Sequence, residues 1–168
     1  MNLIEQAKLA KEASFILGSA STNQKNAALL KIADVLVENT DFIIKENEID
    51  MANAVEKGIK TSMLDRLKLT RERIVDIADG VRQVAQLADP VGEVIHMAER
   101  PNGLVIGKKR VPLGLIGIIF EARPNVCVDA VALTLKTGNA TLLRGGSEAI
   151  YSNIALVKLM KQAIAIAG

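Results

Sequence analysis

LIGIIFEARPNVCVDAVALTLKTGNATLLRGGSEA, residues 115–149, decides the fold. Its first run, LIGIIF (115–120), is short, β-branched and apolar on both faces. A strand buried in a parallel sheet reads this way. A helix is expected from about 126 to 137, capped by Asn125 and stopped at Gly138-Asn139. ATLLR, 140–144, is a second buried strand. Gly145-Gly146-Ser147 then turns into a final helix of about 148–167. Strand, helix, strand, helix with short connections predicts a βαβα unit with a right-handed crossover and a parallel sheet. Two strands are too few for a doubly wound sheet, so further strands must come from elsewhere.

Working outward, the first ninety residues read as helices. Leu3, Ala7, Ala10, Ala13 and Leu17 follow helical spacing up to Gly18. Ser21 and Gln24 have capping-box spacing and open a helix over 22–38. Thr40 followed by Asp41 begins a third helix, which Gly58 ends. Thr61 or Ser62 caps a short fourth. Thr70 caps a fifth, with apolar positions Ile74, Ile77, Val81, Val84 and Leu87, ended by Asp89-Pro90. Residues 91–114 read as a hairpin around the turn Pro101-Asn102-Gly103.

Composition narrows the function classes. Aromatics are 2% of the chain, so the core is built from Ala, Val, Ile and Leu, and base-stacking nucleic-acid modules are excluded. No segment approaches the roughly 18–20 apolar residues that a membrane span needs, so no membrane partner is expected. The N-terminal stretch carries Glu5, Lys8, Lys11 and Glu12, which breaks the apolar region of a signal peptide. A lone cysteine forms no internal disulfide and fits a reducing cytoplasm. The net charge of +2 divides into −3 over residues 1–100 and +5 over 101–168. Either surface lysines cluster by chance or the last third attracts an anionic ligand. Polyanion binding is the weaker version, because the basic residues are scattered.

Three places could carry chemistry. In the turn around Arg144, Gly145, Gly146, Ser147 and Glu148, two glycines let the backbone approach a ligand closely. Ser147 can cap the following helix, whose free N–H groups attract phosphate or ribose oxygens. Arg144 adds forked donors suited to phosphate. A plain strand-to-helix turn with a surface arginine reads the same way. The turn FEARPNV, 120–126, lies at the carboxyl end of a buried strand, where open α/β sheets bind ligands. There Asn125 caps a helix or donates to a carbonyl oxygen gaining charge, and Arg123 either holds an anionic substrate or sits on the surface. Cys127, near the helix start, could be an activated thiolate. Its neighbours Val126, Val128, Ala130 and Val131 instead make it a packing residue. His96, the only histidine, lies on the hairpin and reads as a strand residue. No pattern suggests a metal site.

Residues 110–153 are similar to the gamma-glutamyl phosphate reductase family of the aldehyde dehydrogenase superfamily. PLGLIGIIFEARPNV, LKTGNA and LLRGGSEA occur in that family's order and spacing. The helical first ninety residues resemble its N-terminal region less distinctively. The resemblance implies reduction of gamma-glutamyl phosphate by NADPH to glutamate 5-semialdehyde and phosphate, in proline biosynthesis, through a cysteine thioester. It makes Asn125 the oxyanion residue, Arg123 a substrate residue, and Arg144 to Glu148 the adenosine side of an NADP(H) site. It implies an α/β fold in parts: 1–90 the helical part of the cofactor-binding domain, 91–110 a hairpin for homo-oligomerisation, and 111–168 the start of a Rossmann-like unit. The family's nucleophilic cysteine lies downstream, in a catalytic domain this chain lacks. The chain alone is therefore expected to be inactive. The alternative is a non-catalytic nucleotide-binding or interaction module.

Overall fold

A computed structural model describes residues 2–168. Seven helices and four strands follow the order α1 (Leu3–Gly18), α2 (Thr22–Glu38), α3 (Thr40–Glu56), α4 (Thr61–Leu67), α5 (Arg71–Gln86), β1 (Val94–Glu99), β2 (Val105–Lys109), β3 (Leu115–Ile119), α6 (Pro124–Lys136), β4 (Ala140–Arg144) and α7 (Ile150–Ala167). A 3₁₀ turn, Ser147–Ala149, leads into α7. β1 and β2 form an antiparallel hairpin. β3 and β4 pair in parallel, from Leu115 opposite Ala140 to Ile119 opposite Arg144. The expected α/β organisation is present.

The core is a helical layer. α2 packs against α5 and α7, and α6 lies against α5 and α7. Leu29, Ile32 and Leu36 of α2 meet Ile74 and Val81 of α5, Val128 of α6 and Leu156 of α7, all buried. Each such aliphatic side chain contributes roughly 1.5–3 kcal/mol by leaving water. α7 is long and apolar enough to cross a membrane by length and composition, which corrects the expectation that no segment qualifies. Ser152, Ala155, Leu156, Leu159, Met160 and Ala163 give it one continuous buried face. That face packs among α2, α3 and α6, while Ile150, Ile154, Ile164 and Ile166 are exposed.

Other expectations shift in detail. Ser21 and Gln24 form the capping box, and Thr70 accepts from the Arg73 N–H. Thr40 does not cap α3. Asn39 occupies the cap position, and the Thr40 hydroxyl donates back to the Val37 carbonyl at 2.8 Å. Neither Thr61 nor Ser62 caps α4, which starts after Lys60. Leu87 lies beyond α5 and is exposed. The expected face of α1 is only partly covered: Ala7, Ala10 and Leu17 are half-buried, with Leu17 against the core, while Leu3 and Ala13 are exposed. β3 is not buried on both faces. Ile119 is 85% exposed, and among the described residues β4 is the single strand paired with β3.

Polar groups inside this layer bind distant segments together. The Asp50 carboxylate, on α3, accepts from the Tyr151 N–H at 3.2 Å, the Ser152 N–H at 2.7 Å and the Ser152 hydroxyl at 2.6 Å. It caps α7 from another helix, where no side chain of α7's own cap position does so. Asn47, one turn earlier, donates to the Leu67 carbonyl and accepts from the Leu69 N–H. On another side, buried Lys25 pairs with Asp89 at 2.6 Å, and Lys136 donates to Asn26 and to the Ala85 carbonyl.

Cys127 is the fourth residue of α6, not the second, because the helix begins at Pro124. It is fully buried in the core cluster, and burial pushes its thiol up to about 12. A thiol so far above its ordinary value is neutral at physiological pH. The folded chain should therefore resist a disulfide thiol reagent at pH 8.5 and react fully once unfolded in urea. Labelling of native protein at the rate of a free thiol would overturn the packing role. Asp50→Ala strands three buried donors and should cost about 2–4 kcal/mol in urea unfolding. A loss below about 0.5 kcal/mol would show that α7 does not depend on the cap.

Candidate functional site

β3 and β4 run parallel, so both of their following turns lie at one end of the sheet. The two turns touch. A methyl group built on Gly146 would lie 3.5 Å from the Glu121 carbonyl carbon and 3.6 Å from the Ala122 nitrogen. The structure thus brings together Arg123 and Asn125 from one turn with Arg144 to Glu148 from the other.

The turn after β4 differs from its expected form. Ser147 does not cap a helix. Its hydroxyl faces the Glu148 carboxylate at 3.4 Å. The first N–H groups of α7 are not free for phosphate, since the Asp50 carboxylate takes those of Tyr151 and Ser152. Gly145 is small for an internal reason: an added Cβ would lie 2.3 Å from the Asn153 amide nitrogen and 3.1 Å from the Phe120 ring. Asn153 is buried, and neither its amide nitrogen nor its amide oxygen has a hydrogen-bond partner. The exposed groups are the Arg144 guanidinium, folded back on the Gly145 carbonyl, and the Ser147 hydroxyl. Glu148 is half-buried.

These groups fit a ribose and its phosphate better than a pyrophosphate. A carboxylate can accept from sugar hydroxyls, and a guanidinium can pair with a phosphate monoester. Two of the helix-terminal N–H groups that would cradle a pyrophosphate, those of Tyr151 and Ser152, are already bonded.

The turn after β3 also departs from expectation. Arg123 occupies the cap position of α6, Pro124 the first helical position, and Asn125 lies inside the first turn. Asn125 therefore does not cap. Its amide donates to Asp129 at 3.2 Å, one helical turn on. Burial pushes the Asp129 carboxyl up, and the Asn125 bond partly offsets this. An amide has two N–H donors, so one remains beyond the bond to Asp129.

Arg123 and Asn125 share a cleft of about 320 Å³ with Arg66 at the end of α4, Lys68 in the connection to α5, and Arg73 and Asp76 on α5. This grouping was missed in the sequence, where α4 read only as a short helix. The cap on α7 was missed too, although a signal existed. Ile43, Asn47, Asp50 and Ala54 follow one helical stripe and are all buried. Two polar residues on an otherwise apolar stripe mark a buried polar contact. His96 is exposed on β1.

No protein-family model matches the chain. It is 62% identical to a gamma-glutamyl phosphate reductase of Caldicellulosiruptor bescii over 99% of its own length and 40% of that protein's. It is 59% identical to one from Carboxydothermus hydrogenoformans, over 96% and 39% respectively. The crystal structure of gamma-glutamyl phosphate reductase from Thermotoga maritima superposes with a TM-score of 0.96 at 46% identity, over 99% of this chain and 40% of that one. The Saccharomyces cerevisiae enzyme gives 0.92 at 36% identity, over 99% and 42%. A probable aldehyde dehydrogenase from Listeria monocytogenes, 16% identical, shares the fold at 0.69 over 95% of this chain and 32% of that one. The chain spans about two fifths of the length of the reductases it matches. By sequence and by fold it is similar to an N-terminal portion of gamma-glutamyl phosphate reductases, and it shares its fold with aldehyde dehydrogenases.

Proposed function

We propose that this chain is the cofactor-side portion of an oxidoreductase that reduces gamma-glutamyl phosphate with NADPH. The products are glutamate 5-semialdehyde and phosphate, a step of proline biosynthesis. The observation that carries this reading is the meeting of the two turns at one end of the β3–β4 pair. Ligands of open parallel sheets lie at that end. The relatives' shared name supplies the substrate and the reaction class.

Each group then has a role of its own. Arg144 pairs with the 2′-phosphate that separates NADPH from NADH. Glu148 and Ser147 hold the ribose, with Gly145 and Gly146 keeping the turn close to it. NADPH, when bound, supplies the hydride. The free N–H of Asn125 is positioned to stabilise a carbonyl oxygen as it gains charge. Arg123, exposed with no hydrogen bond or ion pair from its guanidinium among the described residues, attracts the anionic substrate. The thiol that attacks the acyl phosphate is not Cys127, which is neutral and enclosed. It comes from outside these 168 residues, so the chain alone binds without turnover.

The hairpin serves assembly of identical subunits in this reading. Val94, Ile95, Met97, Val105 and Ile106 are all exposed on it, more apolar surface than a solvated hairpin needs.

Binding of NADPH and NADH to the 168-residue chain, followed by nucleotide fluorescence, tests the cofactor assignment. NADPH should bind more tightly. Arg144→Ala should cut the preference by about tenfold, the worth of one lost charge-assisted contact. An unchanged preference would remove Arg144 from the cofactor site.

A further inference from the structure

The cleft that holds Arg123 also draws on a segment to which the functional reading gives no task. From the end of α4 into its connection to α5 the chain alternates. Leu67 and Leu69 are buried, while Arg66 and Lys68 are exposed. The backbone is tied in two places. Asn47 bonds the Leu67 carbonyl at 2.9 Å and the Leu69 N–H at 2.8 Å from within the core. Arg73 bonds the Lys68 carbonyl at 2.8 Å and the Asp65 carboxylate at 2.9 Å, and also reaches the Asp65 carbonyl.

The backbone is thus held, and the alternation turns Arg66 and Lys68 outward. Neither side chain has a hydrogen bond or ion pair among the described residues, and the same holds for Arg123. Arg73 and Asp65 satisfy each other. What remains in the cleft is three unpaired cations and one unpaired carboxylate, Asp76 on α5. The arginines of α5 find carboxylates within the chain, Arg71 with Asp41 and Arg82 with Asp34 and Asp79, whereas Arg66 and Lys68 share one cleft without such partners.

We propose that this cleft recognises the amino-acid end of the substrate. Arg66 and Lys68 take its α-carboxylate, and Asp76 takes its α-ammonium group. The inference rests on the functional reading above for the placement of the reacting carbonyl at Asn125, in the same cleft. The γ-end then lies at Asn125 and Arg123, and the α-end reaches Arg66, Lys68 and Asp76. A cleft of about 320 Å³ is of small-ligand size. A guanidinium binds a carboxylate through two parallel N–H bonds, and Lys68 adds a second charge. A carboxylate beside them distinguishes an α-amino acid from a plain dicarboxylic acid, which lacks the ammonium group.

The test is nuclear magnetic resonance titration of the folded 168-residue chain with L-glutamate, glutarate and inorganic phosphate. L-Glutamate should bind saturably, shifting the signals of Arg66 and Lys68, and more tightly than glutarate. The double variant Arg66→Ala and Lys68→Ala should weaken both by at least tenfold. Asp76→Asn should remove the preference for glutamate over glutarate while glutarate binding stays or improves. These side chains are exposed and unpaired, so the variants should melt like the parent chain. Three results would overturn the inference. One is no saturable glutamate binding at a Kd of about 10 mM or tighter. Another is unchanged affinity in the double variant. The third is phosphate displacing glutamate from these two residues, which would make the cleft a phosphate seat instead. NADPH binding is measured on the same samples. Its loss would count against the functional reading, and its retention with unaltered glutamate binding would sink only this proposal.

Discussion

The structure depends on one buried carboxylate. Asp50 sits on α3 but closes the start of α7, about a hundred residues later in the chain. A helix terminus leaves four N–H groups without partners, and the Ala149 cap position offers none. Taking a charge out of water is tolerated because three donors surround it. α7 in turn packs on α2, α3 and α6. The cap therefore fixes where α7 starts, and with it the course of the turn from β4. The same contact withdraws two N–H groups from any ligand at that turn.

Much of this was legible in the sequence. Ser21 with Gln24, Thr70 at a helix start and Pro101-Asn102-Gly103 between extended runs are local signals, and local hydrogen bonds obey them. The parallel pair was readable from two short apolar runs joined by one helix. The misses share a different cause. Thr40 and Asn125 have capping chemistry, yet each lies inside its helix and bonds elsewhere. Pro124 explains the second case. Its fixed φ suits the first helical position, which pushes the cap back to Arg123 and leaves Asn125 in the first turn.

The candidate site was half legible for the same reason. Each turn could be found in its own stretch, because glycines, a proline and arginines stand there together. That the turns touch follows only from the register of β3 against β4. The space beside Gly145 illustrates the limit. A glycine after a strand suggests close approach, but the sequence does not say by what. Here the close neighbours are Phe120 and the amide of Asn153, both from this chain. Gly146 belongs to the other kind, lying over the Glu121–Ala122 backbone and joining the two turns.

Charge tells a parallel story. Summed by segment, the first hundred residues are acidic and the last third basic, which points an anion toward the strands. The fold redistributes this. In the acidic part, Asp34, Asp41, Asp65, Asp79 and Asp89 are each engaged by a cation of the same part. Arg66 and Lys68 are among the cations left over, and the end of α4 with its connection to α5 sets them in one cleft with Arg123 from the basic part. Local potential follows the unpaired charges that share a low-dielectric wall, not the net charge of the segment that carries them. A cleft made from both parts is positive although the acidic part supplies most of its residues, and the chain distance between those residues hides it from any reading by windows.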